Sequence, residues 1–319
     1  MCNEVDTNIK NLITKSKNIL IISHIRPDGD AIGSLLGLGL SLNKINKNTQ
    51  LVLIDGVPEN MKHLPGNENV IKQPNSNYDL AITVDCSDFY RTGLNINDIK
   101  PDINIDHHIT NSKFAKFNIV ESESVATAAV LAKHMPLWNL PIDENISECL
   151  LTGIITDTIG FRTSNMDPEA FRIIANLLEY NKDYSNIYYR SIINRSYESA
   201  KLWGVGLNNL HQEDNLVWSV VSNEDRRISS YDQSDDAELS NFLSTIDTCA
   251  ISLLIMEQKN GSVKVSWRAK GNLDVSIIAS HFGGGGHQAA AGADIIGTLD
   301  DIKPKVIIKT KEYLLEKTK

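Results

Sequence analysis

The sequence lacks several features that would assign it to a membrane or an oxidising compartment. It contains no run of about 18 apolar residues, so no transmembrane helix is predicted. Met1–Asp6 lacks a basic segment followed by an apolar one, so a secretory signal is not expected. Cysteine is scarce and follows no metal or redox spacing, with residues only at Cys2, Cys86, Cys149 and Cys249. These absences predict a cytoplasmic protein with reduced thiols, in which Cys86 is a small buried hydrophobe.

Positive charge is also in deficit. The 31 Lys and Arg residues face 40 Asp and Glu residues, which leaves a formal net charge of −9. A protein that binds long nucleic acid usually presents a broad basic surface, so that class is disfavoured, whereas short or single nucleotides stay compatible. The length of 319 residues and the hydrophobic content of 41% suit two globular domains.

The sequence does contain four segments rich in carboxylates and imidazoles. They are His24–Asp30, Asp85, Asp106–His108 and Thr156–Thr158. The first three follow apolar runs that predict strands, and ligands of α/β proteins gather outside the carboxyl ends of parallel strands. Carboxylates and imidazoles bind divalent cations, and a metal pair supports phosphoryl transfer. The four segments together predict one metal site.

Each segment also has an ordinary structural explanation. The Asp28-Gly29-Asp30 turn is compatible with Asp30 as a helix N-cap, and Asp85 with a simple cap at a strand end. A pair such as His107-His108 occurs by chance in some sequences, and Asp157 is compatible with a turn. Singly these explanations are competitive, but an accidental meeting of all four segments is much less expected.

The first half of the chain alternates predicted strands and helices, which indicates an α/β fold with a mainly parallel sheet. Asn145–Ile155 fits either a helix or a strand, and Pro168–Tyr180 predicts a helix capped by Asp167. Glycines in the first predicted helix would allow close packing against the sheet. The predicted strands are Ile19–Ile22, Leu51–Ile54, Asp79–Val84 and Ile103–Ile105, and the first predicted helix is Ala31–Leu42.

The second half predicts a smaller α/β domain. A strand is predicted at Leu216–Val221, a loop at Ser222–Asp236 and a helix at Asp235–Ile246. A hairpin is predicted around Asn260-Gly261, with strands at Ala250–Met256 and Val263–Trp267. The helical connector predicted from the Tyr-rich segment Asn181–Ser199 gives domain boundaries of 1–185, 186–210 for the connector, and 211–319.

A run of four glycines, Gly283–Gly286, precedes His287 in the second half. It fits either a flexible linker or a backbone nest for phosphate, and its position inside an ordered pattern favours the nest. A helix starting near His287 would add favourable potential for an anion. Arg268, at the end of a predicted strand, could bind phosphate or carboxylate, although a solvated charge is the commoner role of such a residue.

As a set, these motifs resemble the DHH phosphoesterases that carry the DHH-associated C-terminal domain. The resemblance extends from about His24 to Gly292 and is greatest to the branch of oligoribonucleases (nanoRNases) and 3′-phosphoadenosine-5′-phosphate phosphatases. It rests on the motif His-x-x-Pro-Asp-x-Asp-Ala-x-Gly-Ser from His24 to Ser34, followed by Asp85, Asp106-His107-His108, Asp157, Arg268 and Gly283–His287.

The resemblance implies an N-terminal DHH domain and a smaller C-terminal domain, with the active-site cleft between them and two manganese ions bound. One ion would be held by His24 and Asp28, the other by Asp30, His107 and Asp157, with Asp85 bridging. Asp106 would support the ligands, and His108 would face the scissile phosphate. Arg268, Gly284, Gly285, Gly286 and His287 would hold the rest of the nucleotide.

The implied activity is hydrolysis of very short oligoribonucleotides to mononucleotides, or removal of phosphate from 3′-phosphoadenosine-5′-phosphate, by a metal-bridging hydroxide. Cleavage of linear dinucleotides from cyclic-dinucleotide turnover is the alternative, and a nucleotide-sensing module is the non-enzyme alternative. No long nucleic acid or membrane is expected as a partner, and a homodimer is left open. Ile159 and Ala269 depart from the family pattern, which has Gly and Ser at these places.

Overall fold

The computed structural model describes residues 4–233 and 235–317, so the predictions for Cys2 and the first three residues lie outside it. The chain divides into two compact units, Met1–Asn194 and Arg195–Lys319. Within the described ranges, no helix is both long and apolar enough to span a membrane.

The first unit contains six helices and six strands within the described residues, besides short 3-10 turns and a π-helical segment at Tyr189–Ile193. The helices are α1 (Glu4–Lys15), α2 (Gly29–Lys44), α3 (Thr127–His134), α4 (Glu144–Asp157), α5 (Pro168–Leu178) and α6 (Tyr184–Tyr188). The strands are β1 (Asn18–Ile22), β2 (Asn48–Val52), β3 (Val70–Ile71), β4 (Leu80–Val84), β5 (Ile103–Asp106) and β6 (Phe117–Val120).

All six strands are parallel and have the spatial order β3-β2-β1-β4-β5-β6. The central strands are mostly apolar because both faces of the sheet are covered. Helices pack on one face, and the segment 89–99 packs on Leu20, Ile22 and Ala81 at the other. Ile19 to Ile22 and Leu80 to Val84 are accordingly buried. The predicted α/β class with a mainly parallel sheet is confirmed.

The glycines of α2 pack closely on two neighbours. A Cβ at Gly39 would lie 2.5 Å from Leu51 of β2, as expected for packing against the sheet, whereas Gly33 and Gly37 face α4. A Cβ at Gly33 would lie 2.3 Å from the Cys149 carbonyl oxygen, and one at Gly37 would lie 3.0 Å from Leu150. The glycines therefore allow two helix backbones to approach closely, which brings the first turn of α2 beside the end of α4. The ambiguous segment Asn145–Ile155 belongs to this helix, and Asp167 caps α5 by accepting from the Ala170 amide at 2.7 Å.

Buried charges connect α1 to α3. The His134 ring, at the end of α3, bonds to Asp6 through Nδ1 at 2.7 Å and to Glu121 through Nε2 at 2.8 Å. Trp138 Nε1 also donates to Asp6, at 2.9 Å. Burial alone would lower the pKa of His134, but the bonds to Glu121 and Asp6 raise it above its ordinary value. A protonated imidazole at this helix end also interacts favourably with the helix dipole.

The second unit contains five helices and six strands within the described residues. The helices are α7 (Tyr197–Asn208), α8 (Asn223–Ser229), α9 (Leu239–Leu243), α10 (Val275–His281) and α11 (Leu299–Lys317). The strands are β7 (Leu210–Glu213), β8 (Leu216–Val221), β9 (Ile251–Glu257), β10 (Ser262–Ala269), β11 (Gly285–Gly286) and β12 (Ala290–Ile296).

These strands form a mixed sheet in the order β11-β12-β10-β9-β8-β7, in which only β8 and β9 are parallel. The hairpin around Asn260-Gly261 is confirmed. The loop predicted from Ser222 was wrong over Asn223–Ser229, where a capping box of Ser222 and Asp225 starts α8. The possibility of a helix start near His287 is excluded, because β11 turns there into β12.

Candidate metal centre

The proposed ligands of the first unit lie at the carboxyl edge of its sheet. His24 follows β1, Asp85 follows β4, and His107 follows β5. Asp85 has a φ of 54°, a left-handed conformation that is uncommon for residues with a side chain. Such strain is concentrated at functional sites, where the surrounding structure maintains it. The site is thus built on the ends of three buried strands.

Two helices supply the remaining carboxylates. Asp28 is the N-cap of α2 and accepts from the amides of Asp30 and Ala31 at 3.1 and 3.0 Å. Asp30 lies in the first turn of α2, so the alternative of Asp30 as its N-cap was wrong. Asp157 is the last residue of α4. The close packing of α2 on α4 brings these carboxylates to one edge.

The donor atoms form overlapping groups. His24, Asp28 and Asp85 offer one set, and Asp30, His107 and Asp157 offer another, with the atoms of each set within 4.8 Å of one another. A third set combines Asp85, His107 and His108. All six residues predicted as ligands are therefore close together, and their roles as ligands stay a prediction.

Asp85 lies between the two histidines. Its Oδ2 is 3.5 Å from His24 Nε2, and its Oδ1 is 3.9 Å from His107 Nε2. On the far side, His107 Nε2 lies 3.4 Å from Asp157 Oδ2 and 4.0 Å from Asp30 Oδ2. The two oxygens of one carboxylate thus face different donor groups.

Backbone carbonyls orient both rings. His24 Nδ1 bonds to the Ile25 carbonyl at 2.8 Å, and His107 Nδ1 bonds to the Ser124 carbonyl at 3.2 Å. Each Nδ1 must carry the proton in such a bond, so Nε2 is the ring atom that faces the carboxylates and that could bind a cation. This is the usual arrangement of metal-binding histidines.

The carboxylates of the site shift one another's pKa values. Burial, together with the charges of Asp85, Asp157 and Asp28, raises the pKa of Asp30 well above its ordinary value. Partial burial and the charges of Asp28 and Asp85 raise the pKa of Asp157 to about 7. Burial would also raise the pKa of Asp85, but the bond with His24 and the neighbouring imidazoles lower it.

This chemistry fits divalent cations. Asp28, Asp30, Asp85 and Asp157 bring four negative charges into one small region, and two divalent ions would balance them. Oxygen and imidazole nitrogen are donors that Mn²⁺ and Mg²⁺ accept. Burial and the repulsion between carboxylates both raise the pKa values of Asp30 and Asp157, and bound cations would offset the repulsion.

His108 lies beside the donor set, but its ring is bonded to Asp106. Its Nδ1 bonds to Asp106 Oδ1 at 2.7 Å, and Asn111 donates to the other oxygen of Asp106 at 2.6 Å. Burial alone would lower the pKa of His108, but Asp106 and the charge of Asp85 raise it to about 9. Asp106 thus fixes the ring of His108 and favours its protonated form.

Two residues of the site were missed from the sequence. Thr127 donates through its hydroxyl to Asp85 Oδ1 at 2.8 Å, and Asn111 holds Asp106. Asn111 follows the His pair within a short polar loop, which is a weak signal. Thr127 lies in a run of small residues, Ala126–Ala129, that carries no recognisable motif.

The predicted nucleotide-binding residues of the second unit meet at one end of its sheet. Arg268, near the end of β10, is paired with Ala290, and Gly286 of β11 is paired with Ala291. The half-buried Arg268 donates through Nε to Asn241 Oδ1 at 2.9 Å. His287 is exposed at the turn between β11 and β12. Arg268 and the glycine loop therefore adjoin, as expected for one binding region.

The glycines of this loop differ in whether the surrounding structure leaves space for a side chain. A Cβ at Gly284 would lie 2.2 Å from the Gly292 carbonyl oxygen, and one at Gly286 would lie 2.5 Å from that of Ala290. A Cβ at Gly285 would meet no atom within 4 Å. Gly284 and Gly286 are thus needed for strand pairing, whereas Gly285 is not.

The two departures from the family pattern have different surroundings. Ile159 adopts a φ of 49° and is followed by Gly160 and Phe161, which also have positive φ. A β-branched residue is strained in this conformation, so the turn after Asp157 is an unusual one. Ala269 lies on β10, paired with Ile251, where it keeps the strand regular.

A parallel sheet with carboxylates and imidazoles at its carboxyl edge is the arrangement of a metal-dependent α/β enzyme. Comparison with known families identifies the same class. Residues 18–154 match the DHH family N-terminal domain, and residues 209–312 match the DHHA1 domain. The chain belongs to the DHH family of phosphoesterases and is a hydrolase.

Among its relatives, the chain is similar to the bifunctional oligoribonuclease and PAP phosphatase NrnA of Thermus thermophilus. The two are 31% identical over 304 residues, which is 93% of this chain and 90% of the relative. An exopolyphosphatase-related protein from Bacteroides fragilis shares the fold, with a TM-score of 0.87, 24% identity and coverage of 98% and 96%. The manganese-bound exonuclease RecJ is more distant, with a TM-score of 0.53, 13% identity and coverage of 97% and 93%.

Proposed function

We propose that the protein is a manganese-dependent phosphoesterase that hydrolyses very short oligoribonucleotides and removes phosphate from 3′-phosphoadenosine-5′-phosphate. The observation that carries the proposal is the placement of Asp85, whose two oxygens face His24 on one side and His107 on the other. Such a carboxylate suits a bridge between two cations. The similarity to an oligoribonuclease and PAP phosphatase supports the substrate class.

In this proposal, His24 and Asp28 hold one cation, and Asp30, His107 and Asp157 hold the other, with Asp85 shared. Bound cations would activate water for attack at phosphorus and stabilise charge on the phosphoryl oxygens. The protonated ring of His108, fixed by Asp106, would donate a hydrogen bond to the scissile phosphate or its leaving oxygen. Because four carboxylates balance two cations, the phosphates of the substrate need additional positive partners.

Arg268 and the glycine loop with His287 are proposed as those partners. We expect Arg268→Ala to raise KM about 10- to 100-fold, the effect of losing charge-assisted hydrogen bonds to a phosphate. Metal affinity should be unchanged. Arg268→Lys keeps the charge without the planar fork, so it should recover only part of the loss. Unchanged kinetics of Arg268→Ala on every nucleotide substrate would refute the assignment.

The backbone of the loop is tested by Gly285→Ala. The added methyl group meets no neighbour, so the melting temperature should stay within about 2 °C of wild type. If phosphate approaches the loop backbone closely, KM should nevertheless rise severalfold. Gly204→Ala is the matched control, since its methyl group also meets nothing within 4 Å, and it should leave KM unchanged. An unaltered KM in Gly285→Ala would argue against the phosphate nest.

The function as a whole is tested with purified protein, Mn²⁺ and a panel of substrates. The panel contains 3′-phosphoadenosine-5′-phosphate, RNA of two to five nucleotides, a long RNA, a 5′-phosphorylated diadenylate and pyrophosphate. Hydrolysis of the first two, with little on the long RNA, is expected. A strong preference for the diadenylate would favour cleavage of linear dinucleotides. Activity on pyrophosphate alone, or on nothing, would overturn the proposal.

A further inference from the structure

The first turn of α3 has no cap of its own. Ala126 occupies the N-cap position and has no side chain that can accept a hydrogen bond. The first amides of a helix nevertheless need acceptors when they are buried. Asp30 of α2 is the acceptor for the first two amides of α3. Its Oδ2 accepts from the Thr127 amide at 2.6 Å, and its Oδ1 accepts from the Ala128 amide at 2.9 Å.

The side chain of Thr127 makes a second contact at the same place. Its hydroxyl donates to Asp85 Oδ1 at 2.8 Å, and the whole residue is buried. Asp30 belongs to the donor set with His107 and Asp157, whereas Asp85 belongs to the set with His24 and Asp28 and also to the one with His107 and His108. One residue therefore holds a carboxylate of each donor set, one through its amide and the other through its hydroxyl.

This arrangement restricts both carboxylates. The amide of Thr127 is fixed by the helix, and its branched side chain has few rotamers. The hydrogen bond from Thr127 fixes Oδ1 of Asp85. The other oxygen, Oδ2, then points towards His24 Nε2, which lies 3.5 Å away. The distance between Asp30 and Asp85, and with it the distance between the two donor sets, therefore depends on the position of Thr127.

We infer that Thr127 is a positioning residue that sets the spacing of the two cation sites by orienting Asp85 against Asp30. The inference rests on the proposed metal centre and adds to it a residue outside the ligand set. Groups that orient metal ligands typically contribute 10- to 100-fold to metal affinity or activity. A hydroxyl that only stabilises the helix start would contribute to stability and not to metal binding.

Two substitutions separate these roles. Thr127→Val keeps the shape and the backbone amide but removes the hydroxyl, whereas Thr127→Ser keeps the hydroxyl. The matched control is Thr83→Val in β4, which removes a buried hydroxyl that bonds to Asn104 at 3.0 Å and to the Ile103 carbonyl. Each variant is made in the full chain and titrated with Mn²⁺ alone by calorimetry, with circular dichroism as a check of the fold.

Thr127→Val is expected to weaken Mn²⁺ binding about 10- to 100-fold and to lower kcat by a similar factor. Thr127→Ser should stay within about threefold of wild type, and Thr83→Val should bind Mn²⁺ as wild type does. Wild-type affinity in Thr127→Val, or equal losses in the Val and Ser variants, would overturn the positioning role. If wild type binds Mn²⁺ but hydrolyses no nucleotide, the proposed function fails while this inference stands. If it binds no Mn²⁺, both fail.

Discussion

Asp85→Asn is expected to abolish turnover while the fold persists. The amide has nearly the shape of the carboxylate but no charge, and it cannot offer two equivalent anionic oxygens to the cations proposed beside His24 and His107. We expect Mn²⁺-dependent hydrolysis to fall more than about 100-fold, beyond the usual effect of a residue that only orients a ligand. Hydrolysis rates measured at saturating Mn²⁺, beside far-ultraviolet circular dichroism, check both parts of the prediction.

Asp102→Asn provides the control for this change. Asp102 directly precedes β5, and its carboxylate accepts from the Ala81 amide at 3.0 Å at the amino end of the same sheet. The same substitution there should leave turnover near the wild-type value. Hydrolysis above a tenth of wild type in Asp85→Asn would exclude the bridging role of Asp85.

His134→Ala is expected to have the largest effect on stability. The substitution removes the buried ring that bonds to both Asp6 and Glu121, and removal of one member of a buried ion pair costs about 3–5 kcal/mol of unfolding free energy. Lys133→Ala is the control, because Lys133 pairs with the same Glu121 at 3.0 Å but is 42% exposed. A surface pair of this kind contributes about 0–1 kcal/mol. Denaturant unfolding of both variants measures the difference, and equal losses would contradict the prediction.

The same pair predicts a pH dependence. The pKa of His134 is raised in the folded protein, so its contribution is complete below the ordinary value of 6.5 and is lost as pH rises through the raised value. The bond to His134 lowers the pKa of Glu121 to about 2, so that contribution is complete above 4.5 and is lost as pH falls towards 2. The stability difference between wild type and His134→Ala should be greatest between about pH 4.5 and 6.5.

The sheet and the candidate metal ligands could be predicted because the sequence patterns that indicate them are local. The buried strands are continuous apolar runs, and the residues that follow them, such as His24 and Asp85, must lie at one edge of a parallel sheet. The polar helix α8 was missed because the segment Asn223–Ser229 has little apolar periodicity, although Ser222 and Asp225 form a capping box. That signal is present in the sequence and could have been used.

Other features depend on partners far along the chain. The start of α3 carries no cap, because its acceptor is Asp30, 97 residues away from Thr127. The glycines of α2 predicted close packing against the sheet, which Gly39 makes, but not that Gly33 and Gly37 would pack against α4. A strand follows the glycine loop where a helix was considered, because Gly284 and Gly286 allow β11 to lie against β12. None of these contacts leaves a pattern within a short window of sequence.

Because Asp30 caps α3, the presence of this aspartate in the sequence of a relative does not by itself distinguish an active enzyme from an inactive one. An aspartate at this position has two separate uses, since it caps α3 and is a proposed ligand of the metal centre. A descendant that had lost catalysis and kept only nucleotide sensing would still need an acceptor for the amides of Thr127 and Ala128. Retention of Asp30 alone is therefore poor evidence of activity. His24 and Asp157, which cap no helix in the described structure, are better indicators of a working enzyme.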